Sequence, residues 1–244
     1  MRARLALLVC TVLLLGWDFS GADMAVMRTL GDAQGFAWRD SFVAAELLHR
    51  GGRIVAWGLF VALFTAALRA PRQSAATANL PNRGERFFWL AATVVCALFI
   101  TGLKTRSSTS CPWDLAEFGG TARYLSHWQL NPQLAGLFGI TPTHDGGPGR
   151  CFPSGHAVAA VCFFSQYFLW RKHRPGRAGA WLAAVLMMGI LFGAAQAVRG
   201  AHYPSHTAWA AWLSWVFYLG IDRLGLAIQS CGAVAPDQAP KSAA

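Results

Sequence analysis

The chain is short of charge. Only 13% of its 244 residues are Asp, Glu, Lys or Arg, while 55% are hydrophobic; a soluble domain carries roughly 25% charge. This excludes a disordered chain, which combines high charge with low hydrophobicity, and argues against an ordinary soluble globule. Acidic residues are the scarcest charges: 11 stand against 21 Lys and Arg, a formal net charge of +10. Basicity by itself points to nucleic acid or an acidic membrane surface. A nucleic-acid binder with so little charge and so much Leu, Ala and Trp would be hard to keep in solution, so no nucleic-acid partner is expected. The eleven Trp fit membrane interfaces and helix packing rather than base stacking. No alternation of period two suggests a barrel, no internal repeat is visible, and no carboxylate-rich cluster stands ready for Mg²⁺.

What is present is a series of apolar stretches, about Leu5–Trp17, Ile54–Leu68, Phe87–Leu103, Gly155–Trp170, Ala178–Val198 and Thr207–Ile221. With small or neutral flanks each approaches the ~20 residues that cross a bilayer. The expected fold is all-α, a polytopic integral membrane protein of six transmembrane helices. One six-helix domain covers 1–230, and a short, small-residue tail, 231–244, is expected to be disordered. The first stretch follows Arg2 and Arg4 and reads either as a retained helix or as a signal peptide. Residues 18–53 are too polar to span, and Ser41–Leu48 has helical apolar spacing suited to a membrane surface or to a solvated loop helix. If the loops alternate sides, one side holds twelve Lys/Arg and three Asp/Glu, and the other nine against eight. The positive-inside rule then puts Arg69–Arg86, Arg171–Arg177 and both termini in the cytoplasm, with a bacterial inner membrane as the setting. Segments 18–53, 104–154 and 199–206 face outward.

Of six Cys, Cys10, Cys96 and Cys162 fall within apolar stretches and Cys231 near the cytoplasmic end. Cys111 and Cys151 share the outer loop. They read either as a disulfide permitted by an oxidising periplasm or as two free thiols.

Three polar clusters gather where apolar stretches meet the outer side: Lys104–Asp114 (KTRSSTSCPWD), Arg150–His156 (RCFPSGH) and Gln196–His206 (QAVRGAHYPSH). Ionisable groups at membrane level are costly and mark function. Lys104, Arg150 and Arg199 are cations suited to an oxyanion. Ser154 and Gly155 open a helix after Pro153, where free backbone N–H groups can cradle phosphate. Of His156 and His202, one can attack phosphorus while the other protonates the leaving oxygen. Gln196, Arg199, His202 and His206 would share a helix face, but Gly200 and Pro204 read as the end of one helix and the start of the next. His49, His127, His144 and His173 carry no supporting pattern.

These residues resemble the type 2 phosphatidic acid phosphatase/haloperoxidase superfamily, whose pattern is K-x6-R-P, then P-S-G-H, then S-R-x5-H-x3-D. Here the first element reads Lys104, six residues, Cys111-Pro112; the second is complete at Pro153–His156; the third ends at His202–His206. The motifs cover 104–206. The resemblance implies a membrane phosphatase acting on a phosphorylated lipid, a phosphomonoester or terminal diphosphate. His202 would be the phosphohistidine-forming nucleophile and His156 the general acid. Lys104, Ser154 and Gly155 would bind phosphate, with no cofactor or metal. Three charged positions of the pattern are replaced. Cys111 and Gln196 stand where the family has Arg, and His206 where it has Asp. Arg199, Arg150 or Arg106 would supply the missing charge, with Gln196 beside them, and His206 or Asp114 would orient His202. The departures leave two alternatives: a lipid phosphotransferase, and a lipid-phosphate binding or transport protein with little hydrolase activity. A Zn²⁺ site at His202 and His206, with His156 and Cys111 near, is a third reading.

Overall fold

Asn82 and Glu85 begin the central helix by capping each other. The Asn82 side chain accepts from the Glu85 amide (2.9 Å) and the Glu85 carboxylate from the Asn82 amide (2.8 Å), so two of the helix's orphan donors are satisfied at once. In the computed structural model, which describes residues 2–70, 79–128 and 145–232, this helix is α4 (Arg83–Thr105). The others are α1 (Arg2–Phe19), α2 (Ala22–Leu30), α3 (Phe42–Leu68), α5 (Val158–Trp170), α6 (Pro175–Val198) and α7 (Pro204–Gly232). The described residues contain no strand, only two isolated bridges. Of the expected tail, residues 233–244 lie outside them, as do Arg72 and His144.

The fold is all-helical, as expected, but the helices do not all have the expected bounds. Length and composition qualify α3, α4 and α6 as spans; α1 and α2, bent by 63°, make a fourth if counted as one. α5 is apolar but short, with an interruption at Cys162–Phe163 where the Tyr218 hydroxyl donates to the Cys162 carbonyl. The Ser41–Leu48 segment is neither a separate surface helix nor a loop helix. It is the first part of α3, which starts as a π-helical turn over Phe42–Gly51. Ser41 caps it by accepting from the Ala44 amide (3.2 Å), and Gly51 and Gly52 both hold helical dihedrals, so nothing breaks the helix before Leu68.

One core runs down the bundle, where Trp89, Cys96 and Ile100 of α4 meet Val161 and Phe168 of α5, Val185 of α6 and Tyr218 of α7. Thr93 and Ser165 share a buried hydrogen bond of 2.7 Å across α4 and α5. The opposite faces of the helices are apolar and uncovered: Ile54 and Trp57 on α3, Leu98 on α4 and Ile190 on α6 are each about two-thirds exposed or more. Such faces suit a bilayer and not water; the chain is a membrane protein. At one end Arg86 and Arg177 lie over Trp170, and Arg171 pairs with Asp222. At the other end a smaller cluster of Met24, Met27, Phe36, Leu115, Phe118 and Tyr203 roofs the bundle.

Candidate active site

The roofed end of the bundle collects four segments: the start of α3, the last turn of α4, the turn before α5, and the link from α6 to α7. A cavity of about 650 Å³ opens among them. Its polar wall carries Lys104, His156, Gln196 and His202, all expected from the sequence, and also His49 and Arg53, which were not.

The α6–α7 link places His202. α6 stops at Val198, and Gly200 turns the chain at φ +72, a conformation that favours glycine. A side chain there would also collide with Phe36, 2.2 Å from an added Cβ. The amides of Ala201 (2.9 Å) and His202 (3.4 Å) both donate to the Gln196 carbonyl, and α7 begins at Pro204. One helix thus ends and another starts, as Gly200 and Pro204 predict. His202 Nδ1 lies 3.5 Å from Cys151 Sγ. Cys151 is joined to Cys111 in a disulfide, so its sulfur can only accept. The hydrogen therefore sits on Nδ1 and the lone pair on Nε2, in a ring that lines the cavity. Burial, and after it the Lys104 charge, holds this imidazole well below its ordinary range. The ring is therefore held in its neutral form.

His156 sits in the turn two residues before α5, with Nε2 donating to the Leu48 carbonyl (3.2 Å) and its ring 4.5 Å from that of His49. Burial, with the nearby Arg199 and Arg53 charges adding to it, pushes its pKa down to about 4. Gly155 is where Lys104 needs room. A Cβ there would stand 3.0 Å from Lys104 Cδ and 3.3 Å from Cε, so the missing side chain lets the ammonium pass into the cavity. Gln196 accepts from Arg199 at 3.5 Å, while its buried Nε2 has no protein partner. A buried donor without a partner on a cavity wall is what an anion would satisfy.

The remaining expected site residues stand behind the wall. Ser154 is fully buried; its amide donates to the His206 carbonyl (3.1 Å) and its hydroxyl accepts from the Ala157 amide (3.4 Å). That amide is therefore not a free phosphate donor. His206 donates from Nδ1 to the Cys151 carbonyl (3.0 Å), its ring centroid 6.1 Å from that of His202. Asp114 accepts from the Cys111 amide (3.1 Å) and closes the 3₁₀ turn Pro112–Asp114. Burial raises its pKa. Arg199 donates to the Arg39 carbonyl (2.7 Å) and faces the Trp113 ring, so it reaches the cavity through its field and through Trp113. Arg150 is exposed, and Asp145 accepts from the Ser110 (2.7 Å) and Gly147 (2.9 Å) amides.

Two histidines given no role in the sequence are placed otherwise by the fold. His49 is on the cavity wall; His127 stacks on Phe152, 3.3 Å from the Asp18 carboxylate and edge-on to His206. The signal for His49 and Arg53 is their spacing of four, which shares a helix face once α3 is known to include them. Cys111, Cys151 and His202 offer donor atoms within 4.8 Å of one another. The two sulfurs are bonded to each other, so neither is the thiolate that Zn²⁺ takes. The zinc reading does not fit this arrangement.

No curated protein and no solved structure matches the chain. The profile of the PAP2 superfamily matches residues 86–225, more than half of the chain and every wall residue from α4 onward, and the chain belongs to that superfamily.

Proposed function

We propose that this protein is a membrane phosphatase that removes phosphate from a lipid phosphomonoester or diphosphate through a phosphohistidine at His202. One observation carries the lipid reading. The same cavity that ends in Lys104, Arg53, His156 and His202 continues along Ala56, Trp57 and Phe60 of α3 and Val94, Ala97 and Leu98 of α4. These apolar residues include Trp57 and Leu98, which face outward from the bundle. A cationic head with an apolar side opening complements a phosphate on a hydrocarbon chain and suits a water-soluble phosphoester poorly.

In this reading Lys104, Arg53 and the Gln196 amide hold the non-bridging oxygens. His202 Nε2 attacks phosphorus as the bond to the leaving oxygen breaks, and protonated His156 gives that oxygen its proton. Water then attacks phosphorus, His156 takes its proton, and the P–N bond breaks to release inorganic phosphate and restore His202. An empty site holds His156 unprotonated at neutral pH; a bound phosphate dianion offsets the surrounding cations and favours its protonation. Six spans in a bacterial inner membrane, with both termini cytoplasmic and this site outward, complete the proposal; the basic residues around Arg171–Arg177 support that orientation.

Purified protein in detergent should release phosphate from at least one of phosphatidic acid, phosphatidylglycerophosphate, undecaprenyl diphosphate and lipid A phosphates. His202→Ala should release none and form no acid-labile phosphoenzyme. Tight binding of these lipids without release by the unaltered protein would overturn the enzyme reading in favour of a binding protein.

A further inference from the structure

The PAP2 resemblance leaves His202 without the carboxylate that would orient it. Two of the residues that break the pattern meet at one place. Cys111 replaces an arginine and lines the cavity; His206 replaces the aspartate and donates to the Cys151 carbonyl at 3.0 Å. Cys111 and Cys151 are bonded to each other, and Cys151 Sγ faces His202 Nδ1 at 3.5 Å. We infer that the Cys111–Cys151 disulfide is the positioning element for the nucleophile, accepting from His202 Nδ1 where the family pattern has a carboxylate.

Three further contacts make the disulfide a rigid support. The Cys111 amide donates to Asp114 (3.1 Å), the Trp113 amide donates to the Gly200 carbonyl at the turn that carries His202 (2.9 Å), and the Cys151 amide donates to the Thr109 carbonyl (2.9 Å). The bond therefore ties the end of the α4 motif, the segment before α5 and the α6–α7 link to one another. Asp114, expected to act on His202 directly, acts through Cys111. A disulfide sulfur is a weak, uncharged acceptor. It selects the Nδ1–H tautomer and the ring's direction, and it gives no electrostatic help to an imidazolium. Breaking it should slow phosphoryl transfer while substrate binding survives, because Lys104, Arg53 and Gln196 lie within the helices α4, α3 and α6 and not in the loop segments that the disulfide ties.

The inference rests on the phosphatase reading, and its test separates the two. Cys111→Ala/Cys151→Ala protein is compared with oxidised wild type, using phosphatidic acid in detergent micelles for kcat and KM. Carbethoxylation by diethyl pyrocarbonate, read by mass spectrometry at His202, His156 and His127, reports ring exposure without needing activity. The double variant should lose at least about tenfold in kcat with KM within roughly threefold, and only His202 should react faster. Wild type reduced with a phosphine should behave likewise and recover on reoxidation with oxidised glutathione. The inference is overturned if kcat stays within about twofold, if His202 reactivity is unchanged, or if all three histidines become reactive together, which would make the bond a general staple of the fold. If oxidised wild type releases no phosphate from any lipid, the phosphatase reading fails, and the His202 footprint still decides whether the disulfide positions it.

Discussion

Lys104 is a cation at the end of a helix, and the feature that makes it a site residue is the gap left by Gly155. Adding one methyl at Gly155 puts a carbon 3.0 Å from Lys104 Cδ, tighter than ordinary packing, so the Lys104 side chain must give way and its ammonium shifts within the cavity. Gly155→Ala should therefore lower kcat/KM for phosphatidic acid by about tenfold or more, the scale of a displaced charge-assisted contact, with little change in thermal midpoint. Normal kinetics would place Lys104 outside the phosphate site. Arg53 and Arg150 allow a sharper comparison, since both are exposed arginines at the roofed end of the bundle and only Arg53 lines the cavity. Arg53→Ala should raise KM about tenfold, as loss of a hydrogen bond to a charged group does. Arg150→Ala should leave both constants unchanged. A KM effect at Arg150 and none at Arg53 would reverse the assignment. The motif spacing made Lys104, His156 and His202 legible in the sequence. It did not show Arg53 or His49, because their spacing of four puts them on one face only once α3 extends over them, and their part in the site depends on α3 packing beside α5 and α6, a tertiary fact.

The start of α7 shows how an element can depend on a distant one. Its first turn has orphan N–H groups, and Asp23 of α2 meets them: Oδ1 accepts from the Ser205 amide (3.0 Å) and from Trp17 Nε1 (2.9 Å), and Oδ2 from the Ser205 hydroxyl. Nearby, Asp18 accepts from Trp209 Nε1 (2.7 Å), and Thr11 of α1 from Trp212 Nε1 (3.0 Å). The first stretch, readable as a helix or a signal peptide, thus packs as a helix against α7. Removing a buried helix cap costs about 0.5–2 kcal/mol, so Asp23→Ala should lower the thermal midpoint measured in detergent. Because His202 lies two residues before α7, the same substitution should also reduce kcat, and a loss of stability with full kcat would mean that the link holds itself. The sequence could not disclose this cap. Asp23 and Ser205 are 182 residues apart, and a side-chain cap is legible only when it comes from the helix's own flank. The extent of α3 was hidden for a different reason. Gly51-Gly52 and the charges before them read as a loop, whereas both glycines take helical dihedrals and the polar turn lies at the cavity mouth.

At the scale of the molecule, the two ends of the bundle treat charge differently. One end is rich in arginines that meet aromatic rings or acids in or near water, as with Arg177 over Trp170 and Arg171 with Asp222. The other draws imidazoles into a buried, cationic site. His156, with a pKa near 4 when the site is empty, has a pKa of about 6.5 in the unfolded chain. Below pH 6.5 the unfolded state therefore binds more protons than the folded one, and stability falls as the pH drops. The loss begins near pH 6.5, grows to about 3 kcal/mol from this one group on the scale of 1.36 kcal/mol per pKa unit, and levels off below pH 4. His202, also held below its ordinary range by burial, acts in the same direction. Acidic side chains lose their own contacts at low pH, so the informative quantity is the difference between wild type and His156→Gln. The thermal midpoint of wild type should fall more steeply from pH 6.5 to 4 than that of the variant. Inorganic phosphate should reduce the difference, because an anion beside Lys104 and Arg53 lets His156 carry its proton in the folded state. Parallel curves for the two proteins, with or without phosphate, would mean that His156 is not buried in a cationic site and would remove it as the proton donor.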